Sequence, residues 1–303
     1  MMASQRYKVV GLGEILWDML PNGKQLGGAP ANFAYISRLL GSDGIVASRI
    51  GNDSLGNEAV QRLAALGVTT EFVECDTAHP TGVVQVKVDH AGQPTFVIAE
   101  NSAWDFLEWT SGWQTLAQRA DAICFGSLAQ RAAASRSTIR QFLEAARKGA
   151  VRVFDVNLRQ AFFSTEILTE SMKVADIVKL NHEELPKITQ LFGLEHRDEI
   201  TSADSLMELH HLKLICVTRG CRGSLLISQQ GLNEHPGYRI QVADAIGAGD
   251  AFTAALVHEY MRRSTLAEMN EAANRAGAWV ASQVGAMPSP GEGGIRSEMA
   301  RIG

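Results

Sequence analysis

The sequence predicts an α/β protein, with a mostly parallel central sheet, helices on both of its faces and a small β-sheet lid. Three observations carry this. Short β-rich runs alternate with longer helical patterns over most of the 303 residues, and parallel strands need crossovers of this kind. Apolar residues make up 46% and charged residues 20%, the balance of a globular chain with a sizeable core. Residues 81 to 100, "TGVVQVKVDHAGQPTFVIAE", instead alternate apolar and polar residues around a turn at Asp89 to Gln93, which fits a half-exposed hairpin better than a buried strand.

In chain order, "YKVVGLG" reads as a strand and "APANFAYISRLLG" as a helix stopped by Gly41. "GIVASRIG" is the next strand, and "SLGNEAVQRLAALGV" a helix with apolar residues three and four apart, ending at Gly67. Then come the strand "DAICFGS", the helix "SRSTIRQFLEAARKG" and the strands "VRVFDVN", "ADIVKLN" and "KLICVTRG". A helix is read from Ala251 to Arg262. "ILWDMLPNGKQLGG" is too turn-rich for a buried strand and joins the hairpin in the lid. With no repeat and no Pro/Ser linker, residues 1 to 303 read as one domain whose lid segments lie at about 14–28 and 81–100.

Several function classes are excluded at this level. The net charge of −5, from 28 basic and 33 acidic residues, and the absence of a basic run argue against nucleic acid as a partner. Apolar stretches are broken by charges well short of the roughly 20 residues of a membrane span. The opening "MMASQRYKVV" holds no secretory signal, and Cys75, Cys124, Cys216 and Cys221 form no CxxC framework, so the expected compartment is the reducing cytoplasm. "VVGLGE" lacks the third glycine of a dinucleotide fingerprint, and "HEYMR" lacks the second histidine of a zinc helix. His210 and His211 are adjacent on a helix and face different ways, a poor geometry for ligands.

The chemistry concentrates in "DAIGAGDAF", residues 244 to 252. A helix N-terminus carries unpaired N–H groups and partial positive charge, so it suits an anion. Gly247 and Gly249 allow close backbone approach and positive φ. Asp250 beside them would be held ionised and could accept a proton from an attacking hydroxyl. The plainer alternative is a turn with Asp250 as N-cap. A second carboxylate, Asp244, six residues earlier, favours the functional reading.

This stretch resembles the C-terminal signature of the PfkB/ribokinase sugar kinases, Asp-Thr-x-Gly-Ala-Gly-Asp. The likeness continues in order along nearly the whole chain, through "GEILWD", "LGGAPANFA", "RIGNDSLGNEAVQRLAALGV", "DVNLR", "NHEE" and "VTRGCRGS". Within the family, "GEILWDMLP…LGGAPANFA" together with "DVNLRQAFF" looks most like bacterial fructokinases. The implied fold is ribokinase-like. The implied activity is transfer of the γ-phosphate of ATP to a primary sugar hydroxyl, with ATP and Mg²⁺ as cofactors. Ala245 departs from the usual threonine, so a hydroxyl that would brace the turn is missing.

The resemblance also implies roles. Asp250 would be the general base, and the backbone of Gly247, Ala248 and Gly249 the anion hole. Asn181 and Glu184 would help place Mg²⁺ through water; alternatively they cap the helix that follows. Asp18, Gly28 and Asn32 match sugar-holding positions. Phe96 would cover the ring or pack in the lid, while Asn157 and Arg159 would reach the sugar or its phosphate, Arg159 having a structural ion pair as its alternative. Thr218, Gly220 and Gly223 would form the nucleotide wall. Asn274 would flank adenine or simply face solvent. A potassium site would use Asp244 and Ser289 with carbonyls of Ile246, Val280, Gln283 and Gly285.

Fructose is the expected substrate, with ribose, 2-keto-3-deoxygluconate or a nucleoside as rivals within the class. From another class, a catalytically idle sugar or nucleotide sensor is the alternative; the intact Asp250, glycines, Asn181 and Glu184 favour the enzyme. Lids in this family often pair two subunits, so a homodimer through the lid sheet is expected.

Overall fold

Val9, Val10 and Leu12 are each at most 1% exposed, so strand β1 (Lys8–Leu12) is covered on both faces, as a central parallel strand must be. The computed structural model describes residues 6–21, 23–88, 94–195 and 197–303. After β1 come β2 (Leu16–Leu20), β3 (Gly23–Gly27), α1 (Ala29–Leu39), β4 (Asp43–Gly51), α2 (Ser54–Ala65) and β5 (Val73–Asp76). The chain continues through β6 (Gly82–Val88), β7 (Pro94–Ile98), α3 (Ser111–Ala117), β8 (Ala122–Gly126), α4 (Ala133–Ala145) and β9 (Val151–Asp155). Next are α5 (Thr165–Val174), β10 (Ile177–Asn181), α6 (Glu184–Leu191), α7 (Glu199–His210) and β11 (Leu214–Thr218). It closes with β12 (Ser224–Ser228), β13 (Gly231–His235), α8 (Ala248–Met261), α9 (Leu266–Ala281) and α10 (Gly294–Ala300).

The main sheet has nine strands in the order β13-β12-β11-β10-β9-β8-β1-β4-β5. Pairs from β5 to β11 are parallel, and β12 and β13 fold back antiparallel at one edge. Successive β1 side chains enter opposite cores, as a period of two requires. Val10 joins the cluster holding Trp104, Trp113 and Phe142. Val9 joins the one holding Phe33, Tyr35 and Phe252. The chain leaves β1 toward β4 on one side and later returns at β8 on the other. That makes β1 the topological switch point, where a crevice opens at the carboxyl ends of the strands.

A second sheet, order β3-β2-β6-β7, is built, among the described residues, from these four strands alone. The expected hairpin is present as antiparallel β6 and β7, with Val84 opposite Ile98; its turn at Asp89 to Gln93 lies outside the described residues. The segment after β1 contributes its own hairpin, β2 with β3, and β2 runs parallel to β6. Trp17 anchors this lid: its indole N–H donates to the Leu55 carbonyl at 2.9 Å, and Lys24 and Arg62 lie over its ring. Among the described residues, no helix is long and apolar enough to cross a membrane.

One boundary differs from expectation. Helix α8 begins at Ala248, three residues before the predicted Ala251, with Gly247 as its N-cap in the left-handed region at φ 78°. Asp250 is therefore not the N-cap but lies inside the first turn. The two glycines hid the helix start because glycine is a poor helix former.

Candidate active site

The mouth of α8 faces a cavity of about 490 Å³ between the main sheet and the lid. Asp250, Gly247 and Gly249 line it, together with Asp18, Asn32, Phe96, Asn157 and Arg159. The N–H groups of Gly249 and Asp250 have no acceptor among the described residues, as an anion hole requires. Ala248 N–H leans toward the Ala245 carbonyl at 3.3 Å.

Asn32 places Asp250. It sits one turn into α1, 3% exposed, and its Nδ2 donates to Asp250 Oδ2 at 2.7 Å. Gly28 is the N-cap of α1; its φ of 106° is open to glycine, and a Cβ there would lie 2.4 Å from the Glu14 carbonyl. Burial pushes the Asp250 carboxyl up to about 6, with the Asp155 charge adding to the effect. The Asn32 hydrogen bond, Lys179 and Arg159 pull the other way. A carboxylate poised near 6 is a usable base at neutral pH.

Asp18 stands on β2 opposite Gln25, and burial likewise pushes it to about 6, offset by Arg159. Arg159 is exposed and makes no ion pair among the described residues, so its structural alternative is not realised. Its field reaches Glu14, Asp18 and Asp250. Phe96 is 55% exposed at the cavity mouth, so it is not packed within the lid. Its carbonyl accepts from Gln160 Nε2 at 2.6 Å.

Asn181 and Glu184 form a reciprocal cap at the start of α6. Asn181 Oδ1 accepts the N–H groups of Glu183 and Glu184, each at 2.9 Å. Glu184 Oε2 accepts Asn181 N–H at 2.8 Å and Oε1 accepts Leu158 N–H at 2.7 Å. The capping alternative is thus the geometry seen. Each carboxylate oxygen keeps a further lone pair, which fits water-mediated rather than direct contact with a cation.

At the proposed nucleotide wall, Thr218 ends β11, and Gly220, at φ 61°, has open space over its Cα. Gly223 is packed against the backbone of 235–237. Asn274 is a correction to the solvent-facing alternative: it is 8% exposed. Its Nδ2 donates to Ser224 Oγ at 2.7 Å and to the Asn270 carbonyl at 2.8 Å, tying α9 to β12. For the monovalent site, Asp244 Oδ1 takes Ile246 N–H at 2.9 Å and Oδ2 takes Gly285 N–H at 3.2 Å. These contacts bring the two loops together. The Val280 carbonyl accepts Gln283 N–H at 2.9 Å, and the Pro288 carbonyl, next to Ser289, accepts from Tyr35 Oη at 2.7 Å.

Sequence reasoning missed Glu14, Lys179, Asp155 and Gln160. Glu14 is 4% exposed, lines the cavity, and its Oε2 has no partner among the described residues. Burial pushes it up to about 7. Lys179 is a charge within the apolar run "DIVKL", and that anomaly was the available signal.

Comparison with known proteins identifies the family. The family model described as pfkB family carbohydrate kinase matches residues 21–291. Fructokinase-1 of Oryza sativa subsp. japonica is 30% identical over 316 residues, covering 95% of this chain and 96% of the relative. The fructokinase of Escherichia coli is 31% identical over 265 residues, covering 82% and 83%. The Vibrio cholerae O395 fructokinase, solved with fructose, ADP and calcium, superposes with a TM-score of 0.78 at 25% identity over 94% and 96% of the two chains. A double mutant of that enzyme, solved with fructose, ADP and potassium, gives 0.78 at 25% over 94% and 95%. The chain belongs to the pfkB family of carbohydrate kinases, phosphotransferases that act on a sugar hydroxyl.

Proposed function

We propose that this sugar kinase phosphorylates fructose at a primary hydroxyl, with Asp250 as general base. The observation that carries the reading is Asp250, held by Asn32 at 2.7 Å at a helix mouth where the N–H groups of Gly249 and Asp250 have no acceptor among the described residues. In the step, the hydroxyl oxygen bonds to the γ-phosphorus and its proton passes to Asp250. The bond from that phosphorus to the bridging oxygen breaks, and ADP leaves with the electron pair. Asp18, Asn32, Asn157 and Arg159 would orient the sugar, with Gly28 keeping the α1 turn close and Phe96 over the mouth. Gly247, Ala248 and Gly249 would hold the transferring group, since positioning and charge stabilisation dominate phosphoryl transfer.

Thr218, Gly220 and Gly223 would bound the nucleotide, and Asn274 would hold α9 behind it. ATP and a metal ion are supported by the nucleotide and ion in the Vibrio enzyme's complexes. Asn181 and Glu184 would reach Mg²⁺ through its waters, the ion supplying charge neutralisation for the phosphates. A potassium site is proposed at the meeting loops of Asp244, Ile246 and Gly285, completed by Val280, Gln283 and Ser289. The cytoplasm is the proposed compartment, supported by the use of ATP and by four free cysteines. The lid sheet is the proposed homodimer surface.

A coupled ADP-release assay over fructose, ribose, 2-keto-3-deoxygluconate and adenosine tests this reading, in sodium-only and potassium buffers. Saturable turnover of fructose, reduced by on the order of 10²–10⁴ in Asp250→Asn, is expected. Preference for another acceptor would sink the fructose assignment, and equal rates in the two buffers would remove potassium.

A further inference from the structure

Gly249 lies inside the first turn of α8, and its φ is not in the left-handed region. Conformation does not explain the glycine; a neighbour does. A Cβ at 249 would lie 3.1 Å from the Nζ of Lys179. Lys179 sits on β10 two residues after Ile177, and the strand's period of two turns both toward the core that α8 covers. It is 6% exposed yet lines the same cavity as Gly249 and Asp250. Asp155 on β9 holds it, accepting from Nζ at 3.0 Å on Oδ1 and 3.1 Å on Oδ2. The Thr253 hydroxyl of α8 lies 3.0 Å from that carboxylate and 2.9 Å from the Gly249 carbonyl, its one hydrogen serving either acceptor. An ammonium has three donors, and Asp155 is its only acceptor among the described residues, so at least one N–H remains available.

We propose that Lys179 is the fixed cation of the phosphoryl site, donating its remaining N–H to an oxygen of the transferring group beside Gly249. A buried ammonium already held by a partner needs no reorganisation when charge shifts from the hydroxyl and γ-phosphoryl oxygens to the departing ADP oxygen. The Asp155 carboxylate pairs the Lys179 charge at 3.0 Å. Glycine at 249 leaves the approach open. The inference rests on placing the phosphoryl group at residues 247–249, and Asp250→Asn serves as the control for that placement.

Lys179→Met and the pair-removing Lys179→Met/Asp155→Asn are compared with wild type. The double variant avoids leaving one buried charge alone. The expected result in either folded variant is kcat lowered about 10²–10³-fold, with fructose affinity by calorimetry within threefold. A cooperatively melting double variant with wild-type kcat, while Asp250→Asn is inactive, overturns the proposal; an active Asp250→Asn overturns the site placement instead. Should neither lysine variant fold, the ¹⁵N resonance of the Lys179 ammonium in labelled wild type decides. It should shift when aluminium fluoride joins Mg²⁺, ADP and fructose, and an unmoved resonance overturns the proposal.

Discussion

Asp250, Asp18 and Glu14 are three carboxyls facing one cavity, all pushed upward by burial. Glu14 is the most perturbed, reaching about 7 from an ordinary 4.5, with Asp250 adding repulsion. Between those two pH values the folded chain keeps a proton that the unfolded chain releases. Its contribution to stability is therefore full below about pH 4.5 and is lost as pH rises through about 7. Glu14→Gln should raise the melting temperature at pH 8, by up to on the order of 3 kcal/mol of stability, and change it little at pH 4.5. Equal effects at both pH values in scanning calorimetry would contradict this account. Asp250 and its glycines were legible in the sequence because their motif is contiguous. Glu14 was not legible, because a burial that leaves one oxygen unpartnered among the described residues is invisible until β1, α1 and α8 meet.

Helix α6 shows how an element can serve structure and site together. Glu184 accepts from Asn181 at its own helix start and from Leu158 on the loop after β9. Removing it leaves two backbone donors without acceptors. Glu184→Ala is expected to cost about 1–3 kcal/mol per buried donor left unpaired, read as a lower urea midpoint. Glu184→Gln, which retains one acceptor oxygen, should fall between. An unchanged midpoint in Glu184→Ala would mean that the cap is dispensable and would leave only a role toward the cation. The Asn181–Glu184 pair was legible through the motif resemblance, and its capping alternative was legible because an i, i+3 cap is local. The Leu158 contact was not legible, since it joins loops from two different strands. The same distinction bears on Asn274, whose burial against Ser224 depends on how α9 packs on β12.

The lid and the main sheet enclose the cavity from opposite sides, so neither sheet alone makes a sugar site. The lid is only four strands, and Met19 and Phe96 on it are exposed at 38% and 55%. Pairing of two lids would cover such a surface. Light scattering at micromolar concentration is expected to give twice the 32.8 kDa chain mass; a monomer mass would refute the dimer. By itself the sequence determined the strand–helix alternation, the hairpin insertion and the glycine-flanked Asp250, all carried by near neighbours in the chain. Only the tertiary structure decided that Asn32 holds Asp250 across 218 residues, and that the Asp155–Lys179 pair lies beneath Gly249. The physical reason is that charges buried together come from separate strands and helices. Their energies depend on distances set by packing, which no local pattern records.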